Sequence, residues 1–173
     1  MEFLALSLVL AAIVLILVGT IRTGVPPMPT SPAVRACMFT VIEGLEPRCI
    51  HELGAGWGGL ATALARRFPD ARVIATEVSP LPWAVCRLRQ VLFGPANLEV
   101  RFGDILKTDF SDADLAVCFL CPPAMTKLAG RLEDGLKPGA WVLSNAFALP
   151  GWTPVKDARV DDLHRSAVYL YRK

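Results

Sequence analysis

The stretch HELGAGWGG, residues 51–59, and the run RVIATE, residues 72–77, decide the fold of this chain. Apolar residues within 49–53 predict a short buried strand in front of a glycine-rich turn. The following LATALARR, residues 60–67, has good helix propensity, and a second apolar strand then ends at Glu77. The order strand, glycine turn, helix, strand and acid is typical of an open parallel sheet. In such a sheet a ligand binds beyond the carboxyl ends of the strands, and the acid accepts two ribose hydroxyls.

The glycines are compatible with two ligands. As GxGxxG, through Gly54, Gly56 and Gly59, they predict a dinucleotide. As ExGxGxG, from Glu52 to Gly58, they predict S-adenosylmethionine. Glu52 favours the second ligand, because a carboxylate suits a molecule with an ammonium and a sulfonium group and repels a pyrophosphate. A tight strand–helix turn with Glu52 in a surface ion pair is the purely structural alternative.

The composition predicts one domain with reduced cysteines. The chain has 173 residues and a formal net charge of +2, which indicates no nucleic-acid partner. Its five cysteines are odd in number and lie mostly in apolar stretches, which favours buried thiols in a cytosolic compartment. Cys118 and Cys121 form a CxxC, but within a single strand their side chains leave opposite faces. We therefore predict no metal site.

The N-terminus predicts a membrane anchor. Phe3 to Ile21 carry no charge over about 19 residues, close to the length that spans a bilayer as a helix. A cleaved signal peptide is the alternative, but it has a shorter apolar region, a positive N-terminus and an Ala-x-Ala site. Here Glu2 precedes the apolar run, whereas Arg22 and Arg35 follow it. This asymmetry predicts a single-span membrane anchor over residues 1–22, with the rest of the chain facing the cytoplasm.

Residues 23–48 are expected to connect this anchor to the catalytic domain, residues 49–173. Four prolines between Thr23 and Pro32 predict an extended linker, because proline fixes its own backbone and restricts the residue before it. Residues 33–45 have the apolar spacing of a helix, which we expect against the sheet edge or over the cofactor mouth.

The remaining chain alternates helices and strands and predicts an α/β fold. Prolines or glycines separate most of the segments. The last two runs alternate in the manner of a closing antiparallel hairpin. In order, the predicted elements are a helix capped by Ser79 and ending near Leu92, a strand before Asp104, a strand over 113–120, a helix over 124–136, a strand over 140–149, and the two closing runs 155–162 and 166–173.

These motifs together resemble the class I S-adenosylmethionine-dependent methyltransferases. The resemblance covers residues 49–173 and rests on HELGAGWGG, on Glu77, on Asp104 in RFGD and on the terminal hairpin. It implies a Rossmann-like sheet of seven strands, mostly parallel, with an antiparallel strand in the last pair. The chain resembles more closely the small membrane-anchored lysine methyltransferases typified by the enzyme that modifies the c subunit of mitochondrial ATP synthase. The matching stretches are VPPMPTSPAVRACMFTVIE, residues 25–43, and SNAFALPGWTP, residues 144–154.

The resemblance implies a role for each cofactor-site residue. Glu52 lies near the methionine amino group, and Glu77 binds the ribose hydroxyls. The backbone of Gly54, Gly56 and Gly58 approaches the cofactor. Asp104 and Ile105 contact the adenine.

The acceptor side of the site is less defined by the resemblance. Cys121 and Pro122 are expected at the lip of the fourth strand, next to the transferable methyl group. Many relatives carry Asp or Asn before the two prolines, so the usual polar ligand for an amine is missing here. Trp57, Trp83 and Trp152 are candidate walls of the pocket, and core packing is the alternative for each.

The expected function is transfer of a methyl group from S-adenosylmethionine to a lysine of a membrane-associated protein. The cofactor already carries an activated leaving group, so the mechanism needs little from side chains and we name no general base. A small amphiphile or lipid is the alternative acceptor. An NAD-dependent oxidoreductase and a non-catalytic binding module are the alternative classes of protein.

Overall fold

The computed structural model describes residues 2–24 and 26–173, and its centre is one seven-stranded sheet of order β3-β2-β1-β4-β5-β7-β6. Strands β1 to β5 are parallel, whereas β7 runs antiparallel between β5 and β6. The predicted α/β fold with a closing antiparallel hairpin is confirmed. The strands are β1 Cys49–Leu53, β2 Arg72–Glu77, β3 Leu98–Phe102, β4 Leu115–Cys118, β5 Trp141–Asn145, β6 Lys156–Arg159 and β7 Ala167–Arg172; the helices are α1 Glu2–Thr23, α2 Pro32–Val41, α3 Gly59–Arg67, α4 Pro80–Phe93 and α5 Pro122–Gly135.

Helices cover both faces of the sheet, which explains why strand β4 is apolar throughout. Strand β4 is buried at every position, as expected for a parallel strand that is covered on both sides. One core contains residues of α2, α3 and α4, and the other contains residues of α5 with Phe110 and Tyr171. The chain order reverses between β1 and β4, so a switch point forms at the carboxyl ends of these two strands.

Helix α2 belongs to the first of these cores. It packs against β5, β6 and β7, so of the two predicted positions it takes the one at the sheet edge. The hydroxyl of Ser31 accepts a hydrogen bond from the backbone N–H of Val34 at 3.3 Å and caps the helix. The helix ends at Val41, earlier than the predicted Leu45, because Gly44 takes a positive φ of 85°.

Helix α1 is a long apolar helix that is mostly exposed. Its stretch Phe3–Ile21 is long and apolar enough to cross a membrane by length and composition, and a signal sequence near an N-terminus passes the same test. Most of its described side chains are exposed, but Gly19 is buried. The helix packs against α4, and a Cβ atom added at Gly19 would lie 3.4 Å from the hydroxyl of Ser79.

Two strand ends differ from the prediction. Strand β4 stops at Cys118 rather than Leu120, and Cys121 becomes the N-cap of α5. Two prolines that open a helix force the chain to leave the sheet earlier. The two cysteines therefore do not share a strand, which corrects the reason given for excluding a CxxC site. Strand β5 ends at Asn145 because Ala146 has a positive φ of 67°.

Candidate active site

A cavity of about 710 Å³ lies at the carboxyl ends of β1, β2 and β4, at the switch point of the sheet. Its lining includes the glycine turn after β1, the acids of β1 and β2, the loop after β3 and the end of β4. One wall comes from residues 26–30, which lie between α1 and α2. The cavity therefore joins the core of the sheet to the segment that follows the apolar helix.

The glycine turn needs glycine for two different reasons. Gly54, Gly56 and Gly58 all have positive φ values, of 90°, 53° and 76°. A Cβ at Gly54 would lie 2.9 Å from the side chain of Leu120, and one at Gly58 would lie 2.4 Å from the sulfur of Cys86. A Cβ at Gly56 would meet nothing within 4 Å. Gly54 and Gly58 therefore permit close packing, whereas Gly56 leaves space inside the cavity.

Glu77 fixes the shape of the glycine turn. Its carboxylate accepts hydrogen bonds from the backbone N–H of Gly56 at 2.8 Å and from that of Ser79 at 2.7 Å. Sequence reasoning gave Glu77 a role toward the ligand only and missed this contact across 21 residues of chain. The Ser79 hydroxyl makes no capping bond to α4, so the N-cap residue is as predicted but its capping interaction is absent.

Glu52 is a buried carboxylate, and one of its oxygens has no hydrogen-bond partner among the described residues. Its residue is 4% exposed, and its Oε2 has no hydrogen-bond partner in the described part of the chain. Burial raises the pKa of Glu52 well above its usual range, and the charge of Glu77 raises it further. Buried polar atoms are normally satisfied, so an orphaned carboxylate that lines a cavity indicates a ligand with a positive group. The ammonium of S-adenosylmethionine fits this requirement.

The loop after β3 closes another side of the cavity. Asp104, Ile105 and Leu106 all line it, and the Asp104 carboxylate accepts a hydrogen bond from the Leu106 N–H at 2.9 Å. Two basic residues, Arg89 and Lys127, also reach the lining.

The proline-rich linker forms a wall that sequence reasoning did not find. The indole N–H of Trp57 donates to the carbonyl oxygen of Pro27 at 2.7 Å. The thiol of Cys121 donates to the carbonyl oxygen of Gly24 at 3.1 Å. These contacts join residues 30 and 97 positions apart, and no local pattern encodes them.

The structure brings most of the predicted site residues together but not all. Glu52, Gly54, Gly56, Glu77, Asp104, Ile105 and Cys121 line the cavity. Pro122 starts α5, and its neighbour Pro123 reaches the lining instead. Gly58 packs on α4. Trp152 lies away from the cavity, in an edge contact with Tyr171 at 6.2 Å, so the structure moves it from the wall of the site to the second core.

One group of metal-ligand types occurs at the opposite end of β1. Among the described residues, ligand atoms of Cys49, His51 and Asp112 lie within 4.8 Å of one another. His51 Nε2 is 2.8 Å from the Asp112 carboxylate, and Arg72 lies 4.0 Å from the other oxygen of that carboxylate. Burial lowers the pKa of His51. A hydrogen bond and a nearby guanidinium account for this arrangement without an ion.

Comparison with known proteins identifies the family. Residues 52–156 match the family described as ANTKMT methyltransferase domain. A protein-lysine N-methyltransferase of Saccharolobus islandicus (strain REY15A) is 28% identical over 157 residues, which are 85% of this chain and 92% of that protein. The lysine N-methyltransferase of the ATP synthase c-subunit in Rattus norvegicus is 29% identical over 135 residues, which are 73% of this chain and 59% of that protein.

A solved structure is similar over most of the chain. The RNA methyltransferase of Salinibacter ruber, in complex with S-adenosyl-L-homocysteine, has a TM-score of 0.74 and 29% identity and covers 84% of this chain and 93% of that one. The family match, which covers more than half of the residues, and this neighbour with bound demethylated cofactor agree with the fold and with the orphaned carboxylate in the cavity. The chain belongs to the ANTKMT methyltransferase domain family and is an S-adenosylmethionine-dependent methyltransferase.

Proposed function

We propose that this enzyme methylates a lysine side chain of a membrane-associated protein from the cytoplasmic face of the bilayer. In this proposal residues 1–22 anchor the chain, residues 23–48 connect it, and residues 49–173 form the catalytic domain. The observation that carries it is the wall formed by residues 26–30. The segment directly after the apolar helix is also part of the cavity, so the site lies close to the end of that helix.

The cofactor residues are proposed from the lining of the cavity. We assign Glu52 to the methionine ammonium and Glu77 to the ribose hydroxyls. Asp104 and Ile105 are assigned to the adenine. The open space at Gly56 allows the backbone to approach the cofactor, while Gly54 and Gly58 keep the turn compact. The buried, unpartnered oxygen of Glu52 supports the first assignment.

The chain mainly has to position the acceptor and exclude water. When bound, the cofactor supplies a methyl group that is activated by its sulfonium. Leu120 and Cys121 lie at the end of β4, where they and the linker enclose the acceptor side. An acceptor lysine must be neutral to attack, and an enclosed site next to the ammonium of Lys127 lowers the pKa of such a lysine. We assign no general base.

The charges of the lining favour a protein over a nucleic acid. The name of the Salinibacter ruber neighbour raises RNA as an acceptor. A groove that tracks a phosphate backbone carries an excess of basic residues. This cavity has no such excess: its acids are Glu52, Glu77 and Asp104, and its bases are Arg89 and Lys127. The names of the archaeal and mammalian relatives support lysine.

The geometry of the linker supports a membrane-associated acceptor. Ten extended residues reach only about 30 Å, and here the linker is folded against the cavity, which shortens its reach further. The acceptor site therefore samples a thin layer above the bilayer. Tethering raises the effective concentration of acceptors within that layer.

A labelled-methyl assay tests the proposal. Membranes from a strain that lacks the protein are mixed with the full chain and with cofactor carrying a labelled methyl group. We expect label in a protein band that yields methylated lysine after acid hydrolysis. A Glu77→Gln variant serves as the control with a damaged cofactor site. Label only in the organic-solvent extract would indicate a lipid acceptor, and label only in RNA would support the acceptor named for the structural neighbour.

Membrane topology is tested separately. We expect the full chain to remain in the pellet after alkaline carbonate extraction, and protease added from the outer face to leave the catalytic domain intact. Release of the intact chain by carbonate would contradict the anchor, and digestion from the outer face would reverse the orientation.

A further inference from the structure

We propose that the outer face of α4 lies on the lipid surface and forms a second membrane contact besides α1. The inference rests on the proposed anchor, because α1 sets the height of α4 above the bilayer. It specifies how the catalytic domain is oriented and therefore which acceptors it reaches.

Helix α4 is apolar on two opposite faces. Pro82 and Cys86 are buried in the core. The opposite face carries what we call the outer stripe of α4, formed by Leu88, Val91 and Leu92 and between 57% and 65% exposed. A surface helix of a globular protein normally has one apolar face and one polar face. A large exposed apolar patch therefore indicates a contact surface.

The position of α1 identifies lipid as the partner of this surface. Gly19 lies within the apolar stretch Phe3–Ile21 and is buried next to Ser79, the N-cap of α4. At a rise of about 1.5 Å per residue, Gly19 is only about 3 Å from the end of that stretch. The start of α4 is therefore level with the end of the proposed span, at the boundary between lipid and water. Because α1 packs against α4, the lipid around the proposed span lies next to α4.

Basic side chains border the outer stripe. Arg87 and Arg89 leave α4 at about 100° on either side of Leu88. Arg66, near the end of α3, reaches the carbonyl oxygen of Phe93 at 3.4 Å. Neither α3 nor α4 contains an acidic residue. An apolar stripe bordered by arginines is the pattern of helices that lie in the membrane interface, where the arginines contact anionic headgroups.

The same charges disfavour a second copy of the chain as the partner. In a symmetric dimer each stripe faces its own copy, so both sets of arginines would be brought together in a contact that contains no acid from α3 or α4. Anionic lipid supplies the opposite charge.

A lipid contact along α4 has a functional consequence, because Val78 and Ser79, next to the start of α4, line the cavity. A membrane contact along α4 would hold the cavity at a fixed height and angle, so accessible lysines would be those near the bilayer surface.

Photo-crosslinking tests this surface in the full chain. A photoreactive phenylalanine analogue replaces Leu92, an exposed side chain of the outer stripe whose change leaves the core intact. The matched control places the same analogue at Leu163, which is 94% exposed between β6 and β7, at the opposite edge of the sheet from β3. Both proteins are reconstituted into vesicles of phosphatidylcholine and phosphatidylglycerol, irradiated and analysed by mass spectrometry.

We expect lipid adducts at position 92 to exceed those at position 163 several-fold. Equal lipid labelling at the two positions, in a chain that resists carbonate extraction, would overturn the inference and leave the anchor in place. Adducts at position 92 to protein instead of lipid would also overturn it. Lipid adducts at position 92 in a chain that carbonate releases would support the surface and contradict the anchor.

Discussion

Replacing Glu52 with glutamine should change two properties of the enzyme in opposite directions. The substitution keeps the shape of the side chain and removes its charge. In the ligand-free protein that charge is buried, has one unpartnered oxygen and lies close to Glu77. We expect the Glu52→Gln variant to be more stable without cofactor and to bind the cofactor more weakly.

The stability effect depends on pH in a defined direction. Burial, and then the charge of Glu77, raise the pKa of Glu52 in the folded protein above the value of 4.5 expected for an exposed glutamate. The folded state therefore holds a proton that the unfolded chain has lost, and Glu52 lowers stability progressively as pH rises from that value toward its folded pKa. Glutamine has no proton to lose. The advantage of the variant should be absent in acid and largest at alkaline pH.

The size of this gain follows from the raised folded pKa of Glu52. Each pKa unit between the folded and the unfolded state is worth about 1.4 kcal/mol, so we expect the variant to gain at least about 1 kcal/mol at alkaline pH. For a protein of this length each kcal/mol shifts the melting temperature by about 2–4 °C. The loss of binding should be about 1.5–3 kcal/mol, the scale for hydrogen bonds to charged groups, which is roughly a 10- to 100-fold rise in Kd.

The measurements are thermal melting of the full chain in mild detergent across pH, and calorimetric titration with S-adenosylhomocysteine. Glu77→Gln is the matched control, because that carboxylate accepts two backbone hydrogen bonds and its loss should destabilise the protein. A Glu52→Gln variant that melts lower than the parent at alkaline pH, or that binds the ligand equally well, would refute the reasoning.

Four further substitutions separate ligand binding from folding. Gly56→Ala should lower the free energy of unfolding by about 1–2 kcal/mol because of its positive φ, and should abolish tight cofactor binding. Gly58→Ala should cost about 1–3 kcal/mol more stability because of its clash with Cys86. Thermal melting and calorimetry on both variants measure these effects, and equal effects would contradict the assignment of the open space to the cofactor. Trp57→Phe removes one hydrogen bond to the linker, worth about 0.5–1.5 kcal/mol, and should speed cofactor release several-fold with little change in melting temperature; stopped-flow dissociation that is unchanged would argue against the wall. Asn97→Ala removes the side-chain amide that donates to three backbone carbonyls and should lower the free energy of unfolding by about 1–3 kcal/mol. The Kd for the cofactor should stay constant, and a higher Kd would place this residue in the site.

The sequence predicted those parts of the fold that short-range patterns specify. The limits of β1 and β2 agree with the prediction, because each is an apolar run that ends in a turn or an acid. The end of β4 was placed two residues late, because an apolar run does not show where a chain leaves a sheet. The two prolines after Cys121 carried that information, since proline is favoured in the first turn of a helix.

The position of single residues in the cavity was easier to predict than the contacts between residues. Glu52 lines the cavity, as its place beside the glycine turn indicated, and its role toward the ligand stays a prediction. The bond from Glu77 to the Gly56 N–H, and the contact of Trp57 with Pro27, are set by how distant segments pack. Trp152 shows the converse error. An aromatic residue after the fifth strand fits a core as well as a pocket, and only its contact with Tyr171 decides between them.

Under the proposed function, the linker connects the position of the chain on the membrane to catalysis. The methyl donor is already activated, so an enzyme of this kind controls its reaction chiefly through which nucleophile reaches the methyl group. Access to this cavity passes the wall held by Trp57 and Cys121, and that wall continues into α1. Any displacement of α1 relative to the sheet therefore pulls on the wall of the site. Under the proposed function, a linker tied at both ends in this way restricts the acceptor by position. We propose that this restriction selects the substrate where Cys121 offers no carboxylate or amide to an amine.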